Sequence, residues 1–246
     1  MAVHGTPRLA PRSALLLIAR ITTVSALRVS LVRHGETEWN RKGLLQGSGD
    51  SPLTENGVRG ASACGERLRQ RRFDAAYTSP LPRAYRTAEL ILAKSDHQTA
   101  LREDSRLRER SFGRWEGLSW SDIKSKFPVE RDLAEADGRY RIKGGGESRQ
   151  ETLERAVDFL QSLTMTHGAG DNVLVVTHSA TAGCLVKEVL GLRQEQRRNF
   201  QVLNCALNEF VWDAKAKAWM LCSLGDCAHL EQLKAPPGFA TPTPPV

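Results

Sequence analysis

Short apolar runs alternate with stretches of helical period along this chain, and that alternation constrains its fold more than any other feature. Arg28–Val32, Ala75–Thr78 and Asn172–Thr177 have the length and composition of short buried strands. Between them, Thr54 is placed to cap a helix carrying Val58, Ala61, Cys64 and Leu68, and Leu81, Ala84, Ala88, Ile91 and Leu92 mark a second. Leu153, Ala156, Val157, Leu160 and Leu163 define a third helix, and Ala182, Leu185, Val186 and Val189 a fourth. Leu207–Trp212 and Ala218–Ser223 read as a closing pair of strands. His34–Pro52 reads as a polar loop. The region that follows the second helix, with Gly113, Gly117 and the glycine run Gly144–Gly146, reads as irregular, with the glycine run a hinge before the third helix. The expected fold is α/β: a three-layer sandwich, with a mainly parallel sheet covered by helices on both faces.

In such sheets ligands bind beyond the carboxyl ends of the strands. Here three strands end in residues suited to phosphate: Arg33-His34-Gly35, Ser79 through Arg83, and Thr177-His178-Ser179. Their convergence predicts an anion site with two histidines and two arginines. A neutral imidazole can attack phosphorus, and a neighbouring guanidinium can hold phosphate oxygens in a fork. Glycine lets the chain turn sharply and brings backbone N–H groups close to a ligand. A lone histidine at a strand end is more often structural; the neighbours of His34 reverse that weighting.

Charge and cysteine usage narrow the setting. Residues 1–28 hold four arginines and no acid, so removing them takes the formal net charge from +7 to +3. That leader, residues 1–27, has the composition of an organellar transit peptide and equally that of a disordered extension. Residues 28–233 form the predicted catalytic domain, and residues 234–246, with five prolines, a disordered tail. The balance of +3 gives no reason to expect nucleic acid as a partner. Five cysteines without a CxxC pair argue for reduced thiols inside a cell, in the cytoplasm or, if the leader targets, in a chloroplast or mitochondrion. The apolar stretch from Ser13 to Val32 is broken by Arg20 and Arg28, so no membrane span is expected. His97, His167 and His229 lack metal-like spacing; neither metal nor cofactor is expected, and His229 reads as a structural hydrogen-bonding residue. Oligomeric state is not legible.

Several motifs occur in order across about residues 28–230. They include Leu31-Val32-Arg33-His34-Gly35-Glu36-Thr37-Glu38-Trp39-Asn40, Gln46-Gly47, Ser79-Pro80-Leu81-Pro82-Arg83-Ala84, Leu107-Arg108-Glu109, Phe112-Gly113-Arg114-Trp115-Glu116-Gly117, Gly146-Glu147-Ser148 and Val175-Val176-Thr177-His178. This set resembles the signature of the histidine phosphatase superfamily, the phosphoglycerate mutase-like proteins. The resemblance implies that His34 is the nucleophile of a phosphohistidine intermediate. It places Arg33, Arg83 and His178 around the transferring phosphoryl group, where positioning and electrostatics supply most of the catalysis. It makes Glu109 the general acid for the leaving oxygen and then the base that activates water. That role at neutral pH calls for a raised pKa, which burial or a neighbouring phosphate supplies. Asn40, Gln46, Gly47 and the Ser179 backbone fill in phosphate and substrate contacts.

The segment Glu109-Arg110-Ser111-Phe112-Gly113-Arg114-Trp115-Glu116-Gly117 resembles the phosphatase-type pattern, whereas mutases of the family usually carry His-Tyr where Ser111-Phe112 stands. Asp122–Gly145 is short and has a single proline, Pro128, in place of the mutases' long insertion. A mutase must keep water from a bound intermediate, which asks for more cationic contacts and a covering segment. The expectation is therefore a phosphomonoester hydrolase acting on a small phosphorylated metabolite. The alternatives are a phosphoglycerate mutase and, behind it, a non-catalytic phospho-ligand-binding protein. Ser179, where glycine is common, departs from the family pattern.

Overall fold

The structure is a computed structural model that describes residues 26–192 and 199–233. The predicted tail and all but the end of the leader lie outside the described residues. In chain order the elements are β1 (Leu27–Arg33), α1 (Glu38–Arg41), α2 (Glu55–Leu68), β2 (Ala75–Thr78), α3 (Pro82–Leu92), β3 (Leu101–Glu103), α4 (Trp120–Lys126), α5 (Pro128–Ala136), α6 (Arg149–Thr166), β4 (Asn172–Thr177), α7 (Ser179–Val189), β5 (Leu207–Asp213) and β6 (Ala218–Asp226).

Among the described residues, six strands form one sheet in the order β3-β2-β4-β1-β5-β6. The first four in that order run parallel, and β5 and β6 add an antiparallel edge. Successive strand residues point to opposite faces, and the burial follows. Leu27, Val29, Leu31, Val173 and Val175 pack with α6 and α7. Val32, Leu174 and Val176 pack with α2 and α3 on the other side. The expected three-layer sandwich is what the chain forms.

Several local expectations need correcting. β1 runs from Leu27, which is buried, to Arg33, one residue longer at each end than the strand expected over Arg28–Val32. The expected loop after it contains α1, closed by a capping box between Thr37 and Asn40. Thr54 caps α2 as expected, its hydroxyl accepting from Gly57 N–H at 3.0 Å. Val58, however, lies on the outer side at 36% exposure. The buried stripe of α2 runs through Gly57, Gly60, Ala61, Cys64, Gly65 and Leu68. Val157 is half-buried beside the packed face of α6. The region expected to be irregular holds β3, α4 and α5. α4 and α5 bury Ile123 and Ala134 in a small separate core around Trp115 and Ile142.

The glycine run is a tight turn instead of a hinge. Gly144 and Gly145 have φ of +82° and +85°, and the turn is tied down by Gly146 N–H to Ile142 O and Arg114 N–H to Lys143 O, both at 2.9 Å. Nearby, Glu130 is buried and accepts from Arg114 Nε, Trp115 Nε1 and Lys143 N at 2.8–3.0 Å.

Candidate active site

The parallel register brings the two histidines together. Arg33 pairs with Thr177 at the ends of β1 and β4, so the next residues, His34 and His178, emerge side by side. Their ring centroids are 5.1 Å apart, with planes at 58°. The register of β2 on β4 likewise places Ser79 at the same end, and the Ser79 hydroxyl bonds His178 Nε2 at 2.7 Å. His178 Nδ1 is buried with no hydrogen-bond partner among the described residues.

The proton on His34 is fixed by its own backbone. Nδ1 lies 2.7 Å from the Gly35 carbonyl; a carbonyl only accepts, so Nδ1 carries the hydrogen and Nε2 the lone pair. The Gly35 N–H is held by Thr87 Oγ1 at 2.9 Å, and that hydroxyl donates to the Arg83 carbonyl one turn earlier at 2.7 Å. Gly35 has no room for a side chain, because a Cβ there would lie 2.6 Å from the Gly57 carbonyl. Burial holds the His34 pKa well below the ordinary histidine value, and the charges of Arg83 and Arg33 add to the shift against the hydrogen bond to Gly35. Burial, Arg83 and His34 do the same to His178. Both rings are neutral at pH 7.

Arg83 is buried at the first turn of α3. Nη2 donates to the Gly47 carbonyl at 2.7 Å, and Nη1 to the Gly49 carbonyl at 2.8 Å and to Asp50 at 3.1 Å. Its Nε has no hydrogen-bond partner among the described residues. Burial lowers its pKa, while Glu109 and Asp50 pull the other way. On the other side of the 47–49 loop stands Glu116. It accepts from Ser48 N and Gly49 N at 2.9 Å each, and from Phe112 N at 2.9 Å. The Gly47–Ser48 peptide thus joins a carboxylate at its N–H end to a guanidinium at its carbonyl end, and each bond polarises the other. Gly47, at φ +56°, admits this because a Cβ would lie 2.2 Å from Glu116 Oε1.

Glu109 lies at the N-terminus of α7, where free backbone N–H groups collect. Its carboxylate accepts from Ala180 N at 3.1 and 3.2 Å and from Arg110 N at 2.9 Å. Arg33 Nη1 donates to the Val202 carbonyl at 2.9 Å. Gln46 donates to Thr37 Oγ1 at 2.8 Å, and Asn40 accepts from Thr37 N at 3.3 Å.

Arg33, His34, Asn40, Gln46, Gly47, Arg83, Glu109 and Ser179 all line one open pocket of about 150 Å³. His178 is buried and is not among the lining residues; its ring lies 5.1 Å from that of His34. Trp39, Trp115 and Trp120 do not line it; Trp115 is buried and meets Trp120 edge-on. His229 Nε2 donates to the Cys205 carbonyl at 2.9 Å, away from the pocket. Among the described residues no three potential ligands gather as a metal site, and no helix is long and apolar enough to cross a membrane.

Sequence reasoning assigned no role to Glu116, Thr87, Asp50, Asn204 or Arg110. Thr87 was signalled by its place four residues after Arg83, the spacing that puts a hydroxyl on the preceding turn's carbonyl. Asn204, whose Nδ2 donates to the His34 carbonyl at 2.7 Å, had no signal at all.

The chain is similar to proteins already known. The model of the histidine phosphatase superfamily (branch 1) matches residues 29–224. A protein named probable phosphoglycerate mutase GpmB, from Klebsiella pneumoniae, is 36% identical over 211 residues, covering 83% of this chain and 95% of the relative. Among solved structures, Bacillus stearothermophilus YhfR superposes with a TM-score of 0.75 at 30% identity, covering 83% of this chain and all of that one. A phosphoserine phosphatase from Entamoeba histolytica, solved with 3-phosphoglyceric acid, superposes at 0.72 and 26% identity, covering 83% of this chain and 99% of that one. A match spanning most of the chain, over a fold whose strand ends bring His34 and His178 together, makes this protein a member of the histidine phosphatase superfamily.

Proposed function

We propose that this protein hydrolyses phosphomonoesters of small metabolites through a phosphohistidine at His34. The observation that carries the reading is the fixed tautomer: with Nδ1–H bonded to Gly35 O, the Nε2 lone pair is the one free to attack. Nε2 forms a bond to phosphorus as the ester P–O bond breaks, and Glu109 gives its proton to the leaving oxygen. A water then attacks the phosphohistidine, the P–N bond breaks, and Glu109 takes the water's proton. Arg83 Nε and His178 Nδ1 are the buried groups left to meet the phosphoryl oxygens. They add to the charge of Arg33 without reorganising during the reaction.

The name of the Klebsiella relative favours a second reading, phosphoglycerate mutase. The phosphatase reading is supported by the naming of the Entamoeba structure and by the phosphatase-type sequence around Glu109. One assay separates them. With 3-phosphoglycerate as substrate, the phosphatase reading predicts phosphate release that outruns isomerisation, with or without 2,3-bisphosphoglycerate. Isomerisation faster than release, dependent on the bisphosphate, would overturn it.

A further inference from the structure

The segment that carries Glu109 leaves a short 3-10 turn, Ser105–Leu107, and is extended at Arg108, so no helix or strand of its own fixes it. Side chains from three other elements take its carbonyls instead. Thr177 Oγ1 of β4 donates to the Leu107 carbonyl at 2.6 Å, and Thr181 Oγ1 of α7 donates to the Arg108 carbonyl. From α6, Arg155 Nη1 donates to the Arg106 carbonyl at 2.7 Å and to the Arg108 carbonyl at 2.6 Å. Arg155 is fixed in turn by Glu147, whose two carboxylate oxygens accept from Nε at 2.7 Å and from Nη2 at 2.9 Å. Glu147 also grips the chain beyond the acid through its backbone. Its N–H donates to the Ser111 carbonyl at 2.8 Å, and its carbonyl accepts from Arg110 Nε at 3.0 Å. Beyond the phosphoryl centre the pocket is walled by Arg110, Phe112 and, from α6, Arg149 and Thr152; neither Glu147 nor Arg155 lines it.

Glu147 lies in the Gly146-Glu147-Ser148 motif, to which the phosphoryl chemistry itself gives no part. An ion pair whose side chains are 18% and 20% exposed is partly screened by water and gains little from pairing alone. What the two-point fork secures is direction. With Nε and Nη2 held by the carboxylate, Nη1 is aimed at carbonyls one and three residues before Glu109. The Glu109 carboxylate is meanwhile held at its other end by Ala180 N and Arg110 N. A general acid works only within hydrogen-bond reach of the leaving oxygen. Misplacing a reacting group by about 1 Å costs on the order of 10²-fold in rate.

We propose, building on the phosphatase reading of this pocket, that Arg155, oriented by Glu147, is a positioning residue for the general acid. It acts from outside the pocket, holding the backbone on either side of Glu109 so that the carboxyl proton meets the leaving oxygen. The nucleophile does not depend on it, because His34 is fixed separately through Gly35 and Thr87. Loss of Arg155 therefore damages the part of the reaction that needs a proton and spares the attack on phosphorus.

The test is the single-turnover rate at which the full chain, in excess, cleaves 3-phosphoglycerate and p-nitrophenyl phosphate, with phosphate release and isomerisation followed in parallel. The first ester leaves as a basic alkoxide that needs the proton, the second as a nitrophenolate that hardly does. Arg155→Gln should slow cleavage of 3-phosphoglycerate by about 10–100-fold, and that of the nitrophenyl ester by no more than about twofold. In a Glu109→Gln background the same substitution should cost either ester no more than about twofold, since no acid is left to place. Glu147→Gln, which keeps the backbone bonds, should show the same split at smaller size. If Arg155→Gln does not fold, Arg155→Lys keeps the charge but not the fork, and the split is read there. Equal losses for both esters, or an undiminished loss in the Glu109→Gln background, would make Arg155 a purely structural residue and overturn the inference. A wild type that cleaves both esters but isomerises 3-phosphoglycerate faster than it frees phosphate would sink the phosphatase reading. It would leave this inference standing, because the split is read on the cleavage step. A wild type that cleaves neither ester would overturn both.

Discussion

The wall of the pocket formed by strand ends and the wall formed by Arg110, Phe112 and α6 differ in what fixes them. On the first, sheet register sets His34 beside His178, and hydrogen bonds to the Gly35, Gly47 and Gly49 carbonyls and to the Thr87 hydroxyl hold His34, Gly35 and Arg83 within narrow limits. On the second, a guanidinium is buried with part of its hydrogen-bonding capacity unused. The comparison teaches that the geometry on which the proposed reaction depends is built into the parallel sheet. The second wall belongs to a segment packed on its own small core around Trp115 and Ile142.

Substitutions on the two walls should therefore fail differently. The largest effect belongs to the nucleophile: His34→Ala should abolish turnover for every ester while circular dichroism shows an intact fold. Retention of more than a few per cent of activity would remove His34 from its role. Glu109→Gln should cost on the order of 10²–10⁴ for a sugar phosphate, the range for general acid catalysis. p-Nitrophenyl phosphate, whose leaving group needs no proton, should lose much less in its pre-steady-state burst. Equal burst losses for both esters would shift the acid role to His178.

Glu116→Gln sharpens the comparison, because Glu116 acts on the strand-end wall from the far side of the 47–49 loop. Loss of a carboxylate that accepts several backbone N–H bonds should cost about 1–3 kcal/mol of stability. It should also weaken vanadate binding more than binding of the ground-state ester, since the loop aligns Arg83. Unchanged vanadate affinity in a folded variant would show that the loop does not position Arg83.

The smallest effect is in pH. The folded pKa values of His34 and His178 are lowered, so the unfolded chain takes up protons first, near the ordinary value of 6.5. Stability from keeping the rings neutral is full above that pH and declines as pH falls below it. The acid limb of kcat/KM, which reports the free enzyme, should accordingly lie below pH 6.5. A limb at or above 6.5 would contradict burial of the neutral ring.

The same division explains what was readable in the sequence. Ala75–Thr78 and Asn172–Thr177 were legible to the residue because strands buried on both faces are continuous apolar runs. The polar residues following them located the pocket that Arg83 and Ser179 line with Arg33 and His34. β3 went unseen because its three residues lie at the sheet edge, with Arg102 and Glu103 exposed. α4 and α5 bury few residues each (Ile123 on one, Glu130 and Ala134 on the other), so no apolar period marks them. Their local signals, Ser119 with Asp122 and Pro128 at a helix start, were present but short. Arg110 was hidden for a different reason. Its guanidinium lies over Phe112 and its Nε bonds the carbonyl of Glu147, a residue far along the chain, a contact that sequence spacing does not reveal.

The most direct measurement is to locate the phosphoryl group on the protein during turnover. The enzyme is mixed with p-nitrophenyl phosphate, quenched in alkali to preserve phosphohistidine, and mapped by mass spectrometry, with phosphorus NMR to tell the two ring nitrogens apart. The geometry predicts a phosphoryl group on Nε2 of His34, formed within the nitrophenol burst and lost at the turnover rate. A phosphoryl group on His178, on Nδ1 of His34, or a burst with no labelled residue would contradict it.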